Sequence, residues 1–183
     1  MEILCSNFLK ERLKRPDLVA RLNELHDALG KIDQEERPKG LQSTAAQLIS
    51  DKLLNNADKE IRLLTACCLV DILRIYAPEA PYSDEEMVAV FEILISQLRG
   101  IATINLASSS GRLVFYILHS LATVKSCVVP VILKQNGVPF SDALVHSLFD
   151  CLLSSLRAEH SDDGKCLKKY IIFKCVNYYW SLF

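Results

Sequence analysis

Glycine and proline are scarce, six of each among 183 residues, while half of the residues are hydrophobic. A chain of this length and composition buries a core, which excludes disorder for most of it. A surplus of either charge is missing as well. The net charge is −1 and the pI about 6.4, so no bulk basic field argues for nucleic acid, and only a local patch stays open. There is no Asn-x-Ser/Thr sequon. The seven cysteines, Cys5, Cys67, Cys68, Cys127, Cys151, Cys166 and Cys175, form no C-x-x-C pair. An odd number of thiols, mostly inside apolar helical patterns, reads as reduced, buried cysteines of a nuclear or cytosolic protein.

Signals for export and membrane insertion are also missing. The opening MEILCSNFLKERLKRPD lacks the order of basic residues, apolar core and small cleavage-site residues that marks a signal peptide. The most apolar stretch, 113–133, contains His119, Lys125 and Pro130. A central lysine alone costs about 2.5–3.5 kcal/mol on insertion scales, so this stretch is expected to be a buried helix, with no membrane partner.

Catalytic motifs are absent: no phosphate-binding G-x-x-x-x-G-K-[ST], no G-x-G-x-x-G after a strand, no H-E-x-x-H and no G-x-S-x-G. The four histidines are scattered, and His146 and Cys151 lie five apart, a poor spacing for two ligands on one helical face. Cys67 and Cys68 point about 100° apart on a helix and lie outside its first turn, where a thiolate would be favoured. No enzyme, no metal and no cofactor is expected.

What is present is a series of one-sided apolar patterns without strand alternation. Ile3, Leu4, Phe8, Leu9 and Leu13 outline a short first helix with a basic end at Lys10, Arg12, Lys14 and Arg15, either a solvated helix end or a nuclear-import patch. Pro16-Asp17 restarts the chain, and Leu18, Leu22, Leu25 and Leu29 mark the next helix. The run Gln34-Glu35-Glu36-Arg37-Pro38-Lys39-Gly40 reads as a surface connector. Leu41, Ala45, Leu48, Ile49 and Leu53 share a face. Only Asn55-Asn56-Ala57 separates them from the following helix, which makes the two antiparallel neighbours.

That following helix and its exit organise the chain. Asp58 is the candidate N-cap, with Glu60 in the first turn. On a helical wheel Ile61, Leu64, Cys68, Leu69, Ile72, Leu73, Ile75 and Tyr76 fill half the circle. Arg62, Asp71 and Arg74 lie on the other half, with Asp71 and Arg74 a surface pair three apart. Pro78 cannot continue the helix, and Pro81 extends Ala80. The segment Ala77-Pro78-Glu79-Ala80-Pro81, flanked by Tyr76 and Tyr82, is therefore a rigid elbow. It can be a plain connector, or a pre-ordered surface that receives a short peptide carrying an aromatic and a basic side chain.

Ser83-Asp84-Glu85-Glu86 forms a capping box for a helix faced by Met87, Val90, Phe91, Leu94, Ile95 and Leu98, with Gly100 suited to its C-cap. After a small-residue loop over 101–110, Leu113, Ile117, Leu121, Val124 and Val128 mark a long helix ended by Pro130. Asn136-Gly137-Val138-Pro139 turns the chain into a last helix with Leu144, Val145, Leu148, Phe149, Leu152 and Leu156, for which Ser141 is a candidate cap. The fold class is all-α, about eight helices in a HEAT-like repeat array, an α-solenoid. Residues 1–159 form the helical repeats. The tail 160–183, basic and aromatic through Lys165, Lys168, Lys169, Lys174, Tyr170, Phe173, Tyr178, Tyr179 and Trp180, reads as a nucleic-acid patch, as a further array helix, or as an atypical chain end derived from truncation.

The runs LLNNADKEIRLLTACCLVDILRIYAPEAPY, SQLRG and SLATVKS resemble the Pds-five family of cohesin-associated sister chromatid cohesion proteins, strongly from Leu41 to Gly100. The resemblance implies a non-catalytic HEAT-repeat regulator of cohesin, nuclear and chromatin-associated through cohesin. It implies three partners: the cohesin kleisin subunit, bound largely by repeats beyond this length, and Wapl- and sororin-like regulators. These regulators would dock at Ala77, Pro78, Glu79, Ala80 and Pro81. A generic helical-repeat adaptor is the alternative. Members of the family are many times longer, so the chain is either a fragment or a short relative keeping the regulator-docking end.

Overall fold

The computed structural model describes residues 13–157 apart from Glu35, Gly100, Ala102 and Leu106, with no side-chain description at 155–157. The first helix was expected over 1–14; its residues 1–12 and the tail 160–183 lie outside the described residues, and Leu13 and Lys14 are not helical. Eight α-helices and one 3-10 turn are found among the described residues, in two compact units divided between Ser83 and Asp84.

In the first unit, helix α1 spans Arg15–Leu29, with Pro16 in its first turn, where a missing N–H costs nothing. Its leucines at 22, 25 and 29 are fully buried and α1 packs on α4. Gly40, at φ 89°, opens α2, Leu41–Leu48. One continuous helix was expected from Leu41 to Leu54. Instead Ser50 turns extended (ψ 144°) and starts α3, Asp51–Leu54, with Asp51 in the new first turn.

Helix α4 spans Lys59–Tyr76. The Asp58 carboxylate accepts from the backbone N–H groups of Glu60 (2.8 Å) and Ile61 (3.3 Å), which satisfies two of the N–H groups a helix start leaves open. The expected half-buried wheel is corrected. Ile61, every residue from Leu63 to Leu73, and Ile75 are buried, because α1, α2 and α3 all contact α4. Asp71, expected on the solvent half, is fully buried.

In the second unit, α5 spans Asp84–Leu98, directly after Ser83, with three acidic residues in its first turn. All six residues expected on its apolar face are buried. Helix α6, Ser109–Thr123, is capped by Ser108, whose hydroxyl accepts from Gly111 N–H at 3.0 Å. The long helix expected to end at Pro130 is also corrected. Lys125 takes a left-handed φ of 60°, Ser126–Val128 forms a 3-10 turn, and Pro130 lies in the first turn of α7, Val129–Gln135. No single described helix is long and apolar enough to cross a membrane. Ser109–Thr123 and Ser126–Gln135 have that composition together but bend by 83°. Gly137 (φ 75°) turns the chain into α8, Ser141–Arg157, which packs on α5 and α7.

Candidate functional site at the two-proline elbow

Helix α4 ends at Tyr76 because Ala77 leaves helical geometry (φ −51°, ψ 140°) and Pro78 follows. The Ala77–Pro78 peptide bond is cis. Pro78 and Glu79 are exposed, whereas Ala77, Ala80, Pro81 and Tyr82 are half-buried. Of the seven residues singled out from the sequence, Tyr76 closes the helix and Ala77 to Tyr82 form the exit that follows, with the Glu79 carboxylate the acidic group presented to solvent. Tyr82 is anchored, its hydroxyl donating to the Ala45 carbonyl at 3.3 Å.

The last carbonyls of a helix lack intrahelical donors, and at this exit the proline nitrogens supply none. Side chains of the 31–40 connector take their place. Arg37 Nη1 donates to the Ile75 carbonyl at 2.6 Å and Gln34 Nε2 donates to the Ala77 carbonyl at 3.2 Å. The Arg37 guanidinium also lies 4.3 Å from the Tyr76 ring centroid, a cation–π contact. In return, Arg74 of α4 donates to the carbonyls of Leu29 and Ile32, both at 2.8 Å. The two helix ends cap one another through long side chains. Sequence reasoning missed Arg37 and Gln34, since bonds spanning about forty residues leave no local pattern.

Behind the elbow, the Asp71 carboxylate is hydrogen-bonded to His26 Nδ1 at 2.9 Å and lies 3.5 Å from Arg74 Nη2. At the other end of α4, Arg15 reaches Asp58 (2.5 Å) and Glu60 (2.7 Å). That contact holds the Asp58 carboxyl below its ordinary value, with the helix N–H groups assisting. Burial pushes the Cys67 and Cys68 thiols far up, with the Asp71 charge adding to it, so neither carries a thiolate for chemistry. Among the described residues no group of three His, Cys, Asp or Glu side chains converges to hold a metal. The second unit carries a groove of about 340 Å³ lined by Glu92, Ile95, Arg99, Phe140 and Leu144 among others. The basic and aromatic tail residues lie outside the described residues.

Comparison with known proteins gives one consistent result. The profile of the family described as sister chromatid cohesion protein PDS5 matches residues 16–172. The PDS5 homolog A-B of Xenopus laevis is 38% identical over 156 residues, 84% of this chain and 11% of that protein. PDS5 of Saccharomyces cerevisiae is 45% identical over 82 residues, 44% of this chain and 6% of that protein. Among solved structures, a chain from the structure of the Pds5–Scc1 complex superposes with a TM-score of 0.76 at 27% identity, covering 94% of this chain and 26% of that one. The chain spans about a tenth of the length of the curated relatives it matches.

Proposed function

Because the chain belongs to the PDS5 family of sister chromatid cohesion proteins, we propose that it is a non-catalytic HEAT-repeat scaffold of cohesin regulation whose Tyr76–Tyr82 elbow docks a short peptide. The partner class is a Wapl- or sororin-like segment of Tyr-Ser-Arg type, which supplies the aromatic and basic side chains that such a surface fits. The observation that carries this reading is the elbow's form. It is a two-proline turn with Pro78 and Glu79 in solvent, while its Ala77 carbonyl and Tyr82 are tied down from behind. A surface already ordered loses little freedom on binding, and an exposed carboxylate between prolines offers a basic peptide side chain its counter-charge.

Nuclear localisation, with chromatin association through cohesin, belongs to the same proposal. The kleisin subunit is assigned to the wider repeat array, since the chain matches 26% of its counterpart from the Pds5–Scc1 complex. Titration calorimetry of a Tyr-Ser-Arg peptide tests the reading. Wild type is expected to bind, and the double variant Pro78→Ala, Pro81→Ala to bind at least about tenfold more weakly, as loss of pre-ordering implies. Equal binding by the two proteins would leave the elbow a mere connector and favour the generic adaptor.

A further inference from the structure

We propose that Arg37 and Gln34 are positioning residues of the elbow. They act as a clamp, delivered by the connector between α1 and α2, that holds Ala77–Tyr82 in one shape and fixes which elbow groups a ligand can use. As residues of a docking site they rest on the reading above; as a clamp they do not.

The argument begins with the backbone. A helix that ends in a left-handed residue satisfies its last carbonyls with its own following N–H groups. Ala77 is extended instead, and positions 78 and 81 are prolines with no N–H. The elbow therefore lacks the left-handed self-cap that such a helix end uses. Arg37 and Gln34 supply donors to Ile75 and Ala77, on either side of Tyr76. Arg74 anchors the start of the connector by gripping Leu29 and Ile32, so the clamp is itself held by the helix it caps.

Arg37 does a second thing. By lying 4.3 Å from the Tyr76 ring centroid it already fills the place a ligand's own cation would take on that ring. The basic side chain of a docked peptide is left with Glu79, which is exposed. Arg37 thus sets the site's dependence on Glu79 without contacting the ligand's charge.

Two measurements on the whole chain test this. The first needs no ligand: amide hydrogen exchange at Arg74, Ile75 and Tyr76, the last helical amides of α4. Arg37→Ala is expected to speed exchange there roughly fivefold or more, as loss of a charged cap implies. The middle of α4 should keep its wild-type rate, and Arg37→Lys, which retains a cation and a donor, should stay near wild type. Gln34→Ala, which touches only Ala77, is expected to show a smaller change in the same direction and serves if Arg37→Ala does not fold. The second is a double-variant cycle with the Tyr-Ser-Arg peptide. Glu79→Gln weakens binding in wild type, and its effect shrinks in the Arg37→Ala background because Tyr76 becomes available to the peptide's cation. Last-turn amides exchanging at the wild-type rate in both variants would overturn the clamp, and an unchanged Glu79 effect would overturn the part given to Arg37 at Tyr76, each leaving the docking reading standing. Wild type failing to bind the peptide, with the last-turn amides still loosened by Arg37→Ala, would overturn docking and leave the clamp.

Discussion

The two units are built from the same material and held together differently. In the first, polar side chains cross between elements at every level of α4: Arg15 at its start, His26 and Asp71 in its middle, Arg74, Arg37 and Gln34 at its end. In the second, Lys134 and Asp142 pair across two helices at the surface, and the core is packed largely from aliphatic side chains and Phe91. It also leaves Ile132, Phe140 and Leu153 substantially exposed. Hydrophobic burial is non-directional, whereas hydrogen bonds fix register and angle. Around α4 and the elbow, geometry is specified bond by bond.

The largest test of that contrast is Asp71→Ala. The carboxylate is fully buried, and removing it leaves His26 and Arg74 without their shared acceptor. Removing one partner of a buried charged cluster costs about 3–5 kcal/mol, so chemical denaturation should show a loss of that order. A loss near zero would mean that the first unit, too, is held by apolar contacts alone.

Gly111→Ala probes the second unit, where the constraint is steric. A Cβ at residue 111 would stand 2.0 Å from the Asn105 carbonyl oxygen, so the loop before α6 must move. Alanine favours a helix by about 1 kcal/mol over glycine, yet overpacking costs about 1–3 kcal/mol. A net destabilisation of up to about 2 kcal/mol is expected in thermal unfolding; stabilisation would show that the loop yields freely.

The smallest effect concerns two surface carboxylates, one in each unit. Arg15 holds Asp58 below the ordinary value of 3.8, and Lys134 does the same for Asp142. Each pair's stabilisation is present above that value and fades as pH falls through the depressed one. Both sites are exposed, so the contribution is slight and screened by salt. Carboxyl titration by NMR should show Arg15→Ala returning Asp58 towards 3.8 without moving Asp142, and Lys134→Ala doing the reverse. Movement at both sites from either change would contradict their independence.

Much of this was legible in the sequence. The Asp58 cap, the apolar face of α5 and the proline exit at Ala77 follow from local rules, and the structure has all three. What escaped depends on distant partners. Asp71 sits three residues before Arg74 and so looks like half of a surface pair. Only the arrival of α1 places His26 against it and closes it from water. The break after α6 escaped for another reason: lysine at position 125 adopts a left-handed φ that sequence reasoning reserves for glycine or asparagine. Arg37 lay in a charged run that read as solvated, while in fact it reaches Ile75 and Tyr76.

The mutual capping of α1 and α4 has a consequence for where this region can be cut. A chain begun at Gly40 would retain every residue of the elbow and of α4. It would lose Gln34, Arg37, His26 and the carbonyls that Arg74 grips. The smallest piece that keeps the elbow in its native form therefore starts before Arg15, some sixty residues ahead of the feature it preserves.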